Sequence, residues 1–426
     1  MMKSLFLLGA SVAALAPCAA FADDVAKASS EPAAGDIVVT AQKRTQSVMD
    51  VGATLNVLSA ENLTRQRVFK GEDLAIAVPA LNFARSDYNV PIFSIRGVGF
   101  NDNALGVYPA VSFYIDEAPL VFPVLAANAT FDLQRIEVLK GPQGTLFGQN
   151  STGGAINMIA NKPTDHFDAG ASMTYGRFNL FEASGHVSGP ITDTLRGRLA
   201  FMAHTMDPWQ ISATRPNDRN GRESYYTGRS ILEWKPASNF KAVFTVNIWK
   251  DNSQPQALAL AATKYTYSKY FNTPYGTAVR DEQLVPTNPR LADWASAAES
   301  LPAGATPTTI YGDRTFQQGV LRLEYHPSDT LLATSLSSYV RFRQHMGLSR
   351  SGSPAQNEDQ QKMFGRVDSF SQELRLENQG TNLYHWIVGG NYEKSTTAEN
   401  QLQVYANNTS AINSGIFQNT INDHNC

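Results

Sequence analysis

The chain has 426 residues and a near-neutral balance, with Lys+Arg 35 against Asp+Glu 38 and a net charge of −3. A length of this kind accommodates roughly two or three domains. Without basic runs, acidic tails or charge blocks there is no footing for a nucleic-acid partner.

Met1–Ala22 has the three parts of an export signal: Lys3, an apolar run Leu5–Ala16, and Ala20-Phe21-Ala22 ahead of a cleavage point before Asp23. The apolar run is too short to span a bilayer. Leu15-Ala16-Pro17-Cys18 also sketches a lipidation site, against which Pro17 argues. Cleavage removes Cys18 and leaves Cys426 as the one cysteine, so the mature chain forms no internal disulfide. No later apolar stretch has the length of a membrane helix, so any membrane crossing is made by strands.

Residues 23–45 form a flexible segment, with Asp23–Gly35 rich in Ala, Ser, Glu and Pro. Within it lies the β-branched run Asp36-Ile37-Val38-Val39-Thr40-Ala41. Such a run either adds to the sheet edge of another protein or opens the next domain. Residues 46–163 read as a mixed α+β unit. Thr54–Leu58 is a strand, Ser59–Gln66 a helix capped by Ser59, and Phe69–Ala77 a second helix stopped by Pro79. Ile92–Arg96, Val111–Ile115, Ile136–Lys140 and Ala155–Ala160 are further strands.

The texture changes in residues 164–426, where apolar and polar residues alternate in segments separated by turns. Leu195, Gly197, Leu199, Phe201 and Ala203 share one face, and Arg196, Arg198, Met202 and His204 the other. Ala242, Phe244, Val246 and Ile248 oppose Lys241, Thr245 and Asn247. Phe370, Leu374 and Leu376 oppose Ser371, Glu373 and Arg375. A dry core rejects the charged face, whereas a wet lumen accepts it and lipid takes the apolar one. Tyr225, Tyr226, Trp234, Trp249, Tyr325, Tyr339 and Trp386 stand where an aromatic girdle belongs. Short connections (Gly189–Thr194, Pro236–Asn239, Pro327–Asp329, Asn378–Asn382) alternate with long ones (Pro208–Gly221, Asn252–Asp313, Gly347–Gly365), as in outer-membrane barrels. About nine strands are legible, an odd number where single-chain barrels have even ones. The expected fold is an α+β plug domain inside a transmembrane antiparallel β-barrel, the barrel incomplete in this chain.

Several segments, in order, resemble the TonB-dependent outer-membrane receptors. Asp36–Ala41 is similar to the TonB box. Ser94-Ile95-Arg96-Gly97 and Tyr114-Ile115-Asp116-Glu117-Ala118-Pro119 resemble plug motifs. Arg135-Ile136-Glu137-Val138-Leu139-Lys140-Gly141-Pro142-Gln143-Gly144-Thr145-Leu146-Phe147-Gly148 is the most specific, and Ser369–Leu376 resembles a recurrent barrel strand. Glu117 stands where the family often has Gly, and Lys140 where Arg is common.

The resemblance implies a barrel of about 22 strands with a plugged lumen, and active import of a scarce nutrient, foremost a ferric siderophore or other metal chelate. Carbohydrate, haem, cobalamin and aromatic substrates stay open, as does a truncated, non-transporting remnant. The implied partners are periplasmic TonB with its inner-membrane energising complex, an extracellular small molecule and outer-membrane lipid. TonB would bind Asp36, Ile37, Val38, Val39, Thr40 and Ala41. Arg96 and Lys140 would latch the plug to Glu324 or Glu373 on the wall. Arg85, Asp87, Tyr88, Phe100, Asn101, Asp102, Asn103 and Tyr108 are the substrate-contact candidates, polar and aromatic loop residues on a rigid scaffold. Asp23–Gly35 is too short for an extra signalling domain. No metal-ligand spacing, resident cofactor motif or catalytic signature is present, so an enzyme is not expected.

Overall fold

The structure is a computed structural model that describes residues 38–404, apart from 41, 45, 67, 69, 87–89, 103, 214, 258–287, 289, 293, 295–309, 350–359 and 380–383. Its first part is a small α+β unit. β1 (Val38–Val39) pairs with β2 (Gln46–Ser47). β3 (Thr54–Ser59) leads into α1 (Ala60–Arg65), where the Ser59 hydroxyl accepts from the Asn62 N–H at 3.3 Å. α2 (Leu74–Ala77) is shorter than expected. A 3₁₀ turn at Gly71–Asp73 precedes it, and the chain turns extended at Val78 ahead of Pro79.

β4 (Leu81–Arg85), β5 (Pro91–Ile95) and β6 (Val98–Gly99) form one small sheet. β7 (Val111–Ile115), β8 (Ala118–Leu120), β9 (Leu133–Lys140) and β10 (Gly154–Ala160) join β3 in another, in the order β3-β9-β10-β7-β8. β10 lies parallel to β7, and every other pair in that sheet is antiparallel. Every residue of β7 and β10 is buried, so both sheet faces are covered.

The second part is a wall. Its first strands are β11 (Asp168–Gly176), β12 (Leu180–Pro190) and β13 (Leu195–Met206). The short β14 (Gln210–Ser212), β15 (Arg219–Asn220) and β18 (Leu291–Ala292) form a separate sheet. The remaining wall strands are β16 (Glu223–Ala237), β17 (Phe240–Asp251), β19 (Tyr311–Ser328), β20 (Leu331–Ser349), β21 (Gln360–Asn378) and β22 (Ile387–Val404). Among the described residues, nine strands form this one antiparallel sheet, each paired to the next. β11 and β22 are its edges, and the sheet does not close on itself. No helix among the described residues is long and apolar enough to cross a membrane, which leaves crossing by strands open.

The alternation read from the sequence sets the two faces. On β13, Leu199 is 55% exposed and Phe201 58%, while Arg198 is 6% and His204 2%. Apolar residues therefore face out and charged ones face the plug, the arrangement of a barrel wall in lipid. Tyr226, Trp234, Tyr325, Tyr339 and Trp386 are outward, as expected of a girdle. Tyr225 and Trp249 are not. Both are buried on the inner face, Tyr225 stacked on His204 at 4.5 Å and Trp249 on Phe316 at 5.5 Å. Strand parity explains this, since Tyr225 shares its face with the buried Thr227 and Arg229.

Connections of residues 191–194, 238–239 and 329–330 lie at one end of the wall. The ends of β13 and β17 and the starts of β16 and β19 lie at the other. The plug unit spans this axis. Arg44 bonds the Asn378 carbonyl at the short-turn end, and the Leu105 N–H bonds Glu399 towards the long-loop end. A Cβ at Gly365 would lie 2.1 Å from Leu105 Cδ1, so a larger residue there would require the Leu105 side chain to move.

The outer face predicts its own response to charge. Leu321→Lys should destabilise membrane insertion by about 2–4 kcal/mol, and Leu321→Val by less than about 1.5. Urea titration of the protein in lipid vesicles measures both. Equal midpoints for the two variants would mean that this face does not meet lipid.

Candidate functional site at the plug–wall contact

The contact begins at the short-turn end. Val39 is fully buried against Tyr114, Leu139, Phe147 and Ala155. The next residue, Thr40, donates its N–H to the Glu137 carboxylate at 3.0 Å and its hydroxyl at 3.3 Å. Arg135 holds the same carboxylate at 2.8 Å. Lys43, in the left-handed region at φ 59, extends Nζ to Glu373 on the wall at 2.5 Å. Val39 and Thr40 are therefore seated against the plug while Val38 is 47% exposed, and Lys43 reaches the wall three residues on; Asp36, Ile37 and Ala41 lie outside the described residues.

Beside Glu373 stands Glu117. It is 3% exposed, and its carboxylate accepts from Arg375 at 2.6 Å and from Arg322 at 3.2 Å. Arg375 also reaches Glu373 at 3.2 Å. Burial opposes the charge on Glu117, but Arg322 and Arg375 outweigh it and hold the carboxyl at about 2, against an ordinary 4.5. Asp116 and Glu117 form the β7–β8 turn with φ 49 and 70. Two positive angles suit a tight hairpin and cost a residue with a Cβ. Asn157 Oδ1 accepts the Glu117 N–H at 3.1 Å, and the arginines take its side chain. Glutamate thus occupies a turn that glycine would fit more easily, and gains two wall cations there.

A second contact is built the same way. Arg198 donates two hydrogen bonds to Asp132 on the plug, at 2.9 and 2.6 Å, and Arg229 donates to the Phe131 and Asp132 carbonyls at 2.6 and 2.9 Å. Burial would raise the Asp132 pKa, and the bonds from Arg198 and Asn161 with the arginine charges lower it instead. A third contact joins Lys70 to Glu223 at 2.6 Å, next to His204, whose ring nitrogens lie 3.1 Å from Glu223 and 2.9 Å from Glu182.

The expected latch residues are arranged differently. Arg96 is exposed at φ 53 in the β5–β6 turn and approaches Gly141 and Lys140 on the plug itself. Lys140 donates to the Pro79 carbonyl at 2.6 Å, and burial and Arg96 lower its pKa. Neither meets Glu324 or Glu373. Glu324 is paired within the wall to Lys241 at 2.5 Å and Arg322 at 2.7 Å, and Glu373 to Lys43 and Arg375. The turn aims Arg96 at its own unit, so the plug's link to the wall runs through Glu117, Asp132, Lys43 and Lys70. The signal for Glu117 was present as an acid at a turn position favouring glycine.

Among the substrate-contact candidates, Phe100, Asn101 and Asp102 are exposed, and Asp102 accepts the Ala104 N–H at 2.9 Å. Tyr108 is partly exposed with its ring 5.1 Å from Phe122. Arg85 closes β4 opposite Pro91; Asp87, Tyr88 and Asn103 lie outside the described residues. The sequence reading missed Phe83, Phe93, Tyr225 and Asp251, which line a cavity of about 80 Å³ between plug and wall.

The family described as TonB-dependent receptor plug domain matches residues 47–155. Residues 47–155 are similar to a TonB-dependent receptor plug. The resemblance read from the motifs is borne out, together with the expected fold class. The pesticin receptor of Yersinia pestis is 31% identical over 210 residues, covering 47% of this chain and 30% of the relative. The ferripyoverdine receptor of Pseudomonas aeruginosa is 25% identical over 166 residues, covering 38% of this chain and 20% of the relative. The solved ferric yersiniabactin uptake receptor of Yersinia pestis shares the fold at TM-score 0.64 and 21% identity, over 83% of this chain and 50% of that one. The matches thus span less than a third of these two curated relatives and half of that solved chain. All three are named as receptors, not enzymes.

Glu117→Gln leaves Arg322 and Arg375 without their shared carboxylate and should loosen the plug by about 3–5 kcal/mol. Glu117→Gly should loosen it as well, despite relaxing the turn, whereas Arg96→Gln should leave it unchanged. Protease cleavage of the plug across a urea series reads all three. Because the folded pKa of Glu117 is depressed, its contribution is complete above pH 4.5 and is lost as pH falls towards about 2. Acid release of the plug in that window should be weaker in Glu117→Gln than in the unmodified protein.

Proposed function

We propose that this chain acts in TonB-dependent active import across the outer membrane of a Gram-negative bacterium, with a ferric siderophore or related metal chelate as substrate. The carrying observation is the seat of Val39 and Thr40: the strand Val38–Val39 pairs with Gln46–Ser47, Val39 is buried, Thr40 bonds Glu137, and Lys43 just beyond them is bound to the wall. The iron-chelate relatives named above favour this substrate class.

Substrate arrives from the long-loop end, over Phe100–Asp102 and Tyr108. The segment 36–41 then leaves its seat and adds as a strand to TonB, where main-chain hydrogen bonds supply the affinity. Withdrawing Val39 exposes a buried valine, at a cost of about 1.5–3 kcal/mol. Traction reaches Lys43 next and takes its ammonium from Glu373. That carboxylate then competes with Glu117 for Arg375, and the latch at the β7–β8 turn weakens. The pull is thereby relayed from the tether to the plug's strongest wall contact.

Deleting residues 36–41 should abolish energy-dependent uptake and leave surface binding of the ferric chelate unchanged. Lys43→Gln should keep uptake but lower the force or denaturant needed to free the plug. Radiolabelled uptake in cells with and without a proton gradient tests the first. Uptake that persists after the deletion would overturn the coupling.

A further inference from the structure

On the outer face of β20, Tyr339, Arg341, Arg343 and His345 alternate with the buried Val340, Phe342 and Gln344. Register places Phe370 beside Tyr339, Asp368 beside Arg341, and Arg366 beside Arg343. Below this level the same face is mostly apolar or small, with Ala333, Leu374, Leu376, Leu321 and Phe244, and one amide, Gln372, bonded to Ser337. Arg343 and Arg366 stand ten residues along the strands from Ala333 and Leu376. At about 3.3 Å per residue and a tilt of about 40°, that is a height of about 25 Å, the thickness of the apolar band. By the same measure Arg341 stands at about 20 Å, so the three arginines straddle the upper boundary of that band, just beyond the Tyr339–Phe370 girdle.

Among the described residues their charge is only partly matched. Arg341 and Arg343 lie 3.3 and 3.5 Å from Asp368, and Arg366 pairs with the same carboxylate, so three guanidinium groups share one acid. Lys250 adds a fourth cation and pairs with Asp313. An open depression of about 510 Å³ runs between them, walled by Lys250, Arg343, Arg366 and Phe364 together with the carboxylates of Asp313 and Glu399. We propose that this outward patch binds the phosphate groups of a phosphorylated glycolipid in the outer leaflet. Guanidinium forks match phosphate oxygens, and the flanking rings suit the boundary between headgroup and acyl chain. Acyl chains would lie along Leu374, Leu321 and Phe244.

The inference rests on the reading of the chain as an outer-membrane protein with its long loops outside. The test uses the full chain in phosphatidylethanolamine vesicles containing either lipid A or its dephosphorylated form, with lipid retained through detergent extraction measured by native mass spectrometry. The unmodified protein should retain lipid A about tenfold better than the dephosphorylated form. Arg341→Gln/Arg343→Gln/Arg366→Gln should lose that preference, and Arg366→Gln alone decides if the triple variant fails to insert. Excess inorganic phosphate should not displace the lipid. Equal retention of both lipids, or an undiminished preference in whichever variant decides, would overturn the proposal. A preference that holds while residues 36–41 prove dispensable for uptake would sink the import reading alone.

Discussion

A sheet immersed in lipid turns its polar side chains to one side, and everything else in this protein follows from what meets them there. The inner face of the wall carries Arg198, Arg229, Arg322 and Arg375, all largely removed from water. Buried cations of this kind need partners, because an unpaired one costs far more than a pair returns. The plug supplies Glu117, Asp132 and the carbonyls of Phe131 and Asp132. Wall and plug are thus mutually required. The same ion pairs that seat the plug are those that the proposed import would have to break.

The contact is graded in strength. The chain enters through a two-residue strand, one buried valine and one lysine–glutamate pair. These are small individual contributions. At the same level of the wall, Glu117 is fully enclosed between two arginines. Arg375 touches both Glu117 and Glu373, and so connects the weak end to the strong one. A force applied at the tether meets the low barriers first.

The outer face obeys the complementary rule. Leucine, phenylalanine and tyrosine occupy the band, and arginine appears only beyond Tyr339 and Phe370. Charge is tolerated there because the cost of a lipid-facing cation falls towards the interface. One strand period therefore sorts residues inward and outward, and distance along the strand sorts the outward ones by depth.

The sequence by itself determined the strands, their two faces, the Ser59 cap and the motif order of the plug, since each depends on neighbours within a few residues. Parity along β16 and β17 also carried the inward setting of Tyr225 and Trp249, although proximity to strand ends suggested a girdle. What only the tertiary structure decided is which charges meet. Glu117 and Arg375 are 258 positions apart, and Lys43 and Glu373 are 330 apart. Their pairing depends on how the plug is rotated against the wall, which no local period encodes. Arg96 looked equally suited to a latch by composition. A left-handed turn between β5 and β6 points it at Lys140 instead, and the β7–β8 turn puts Glu117 in its place.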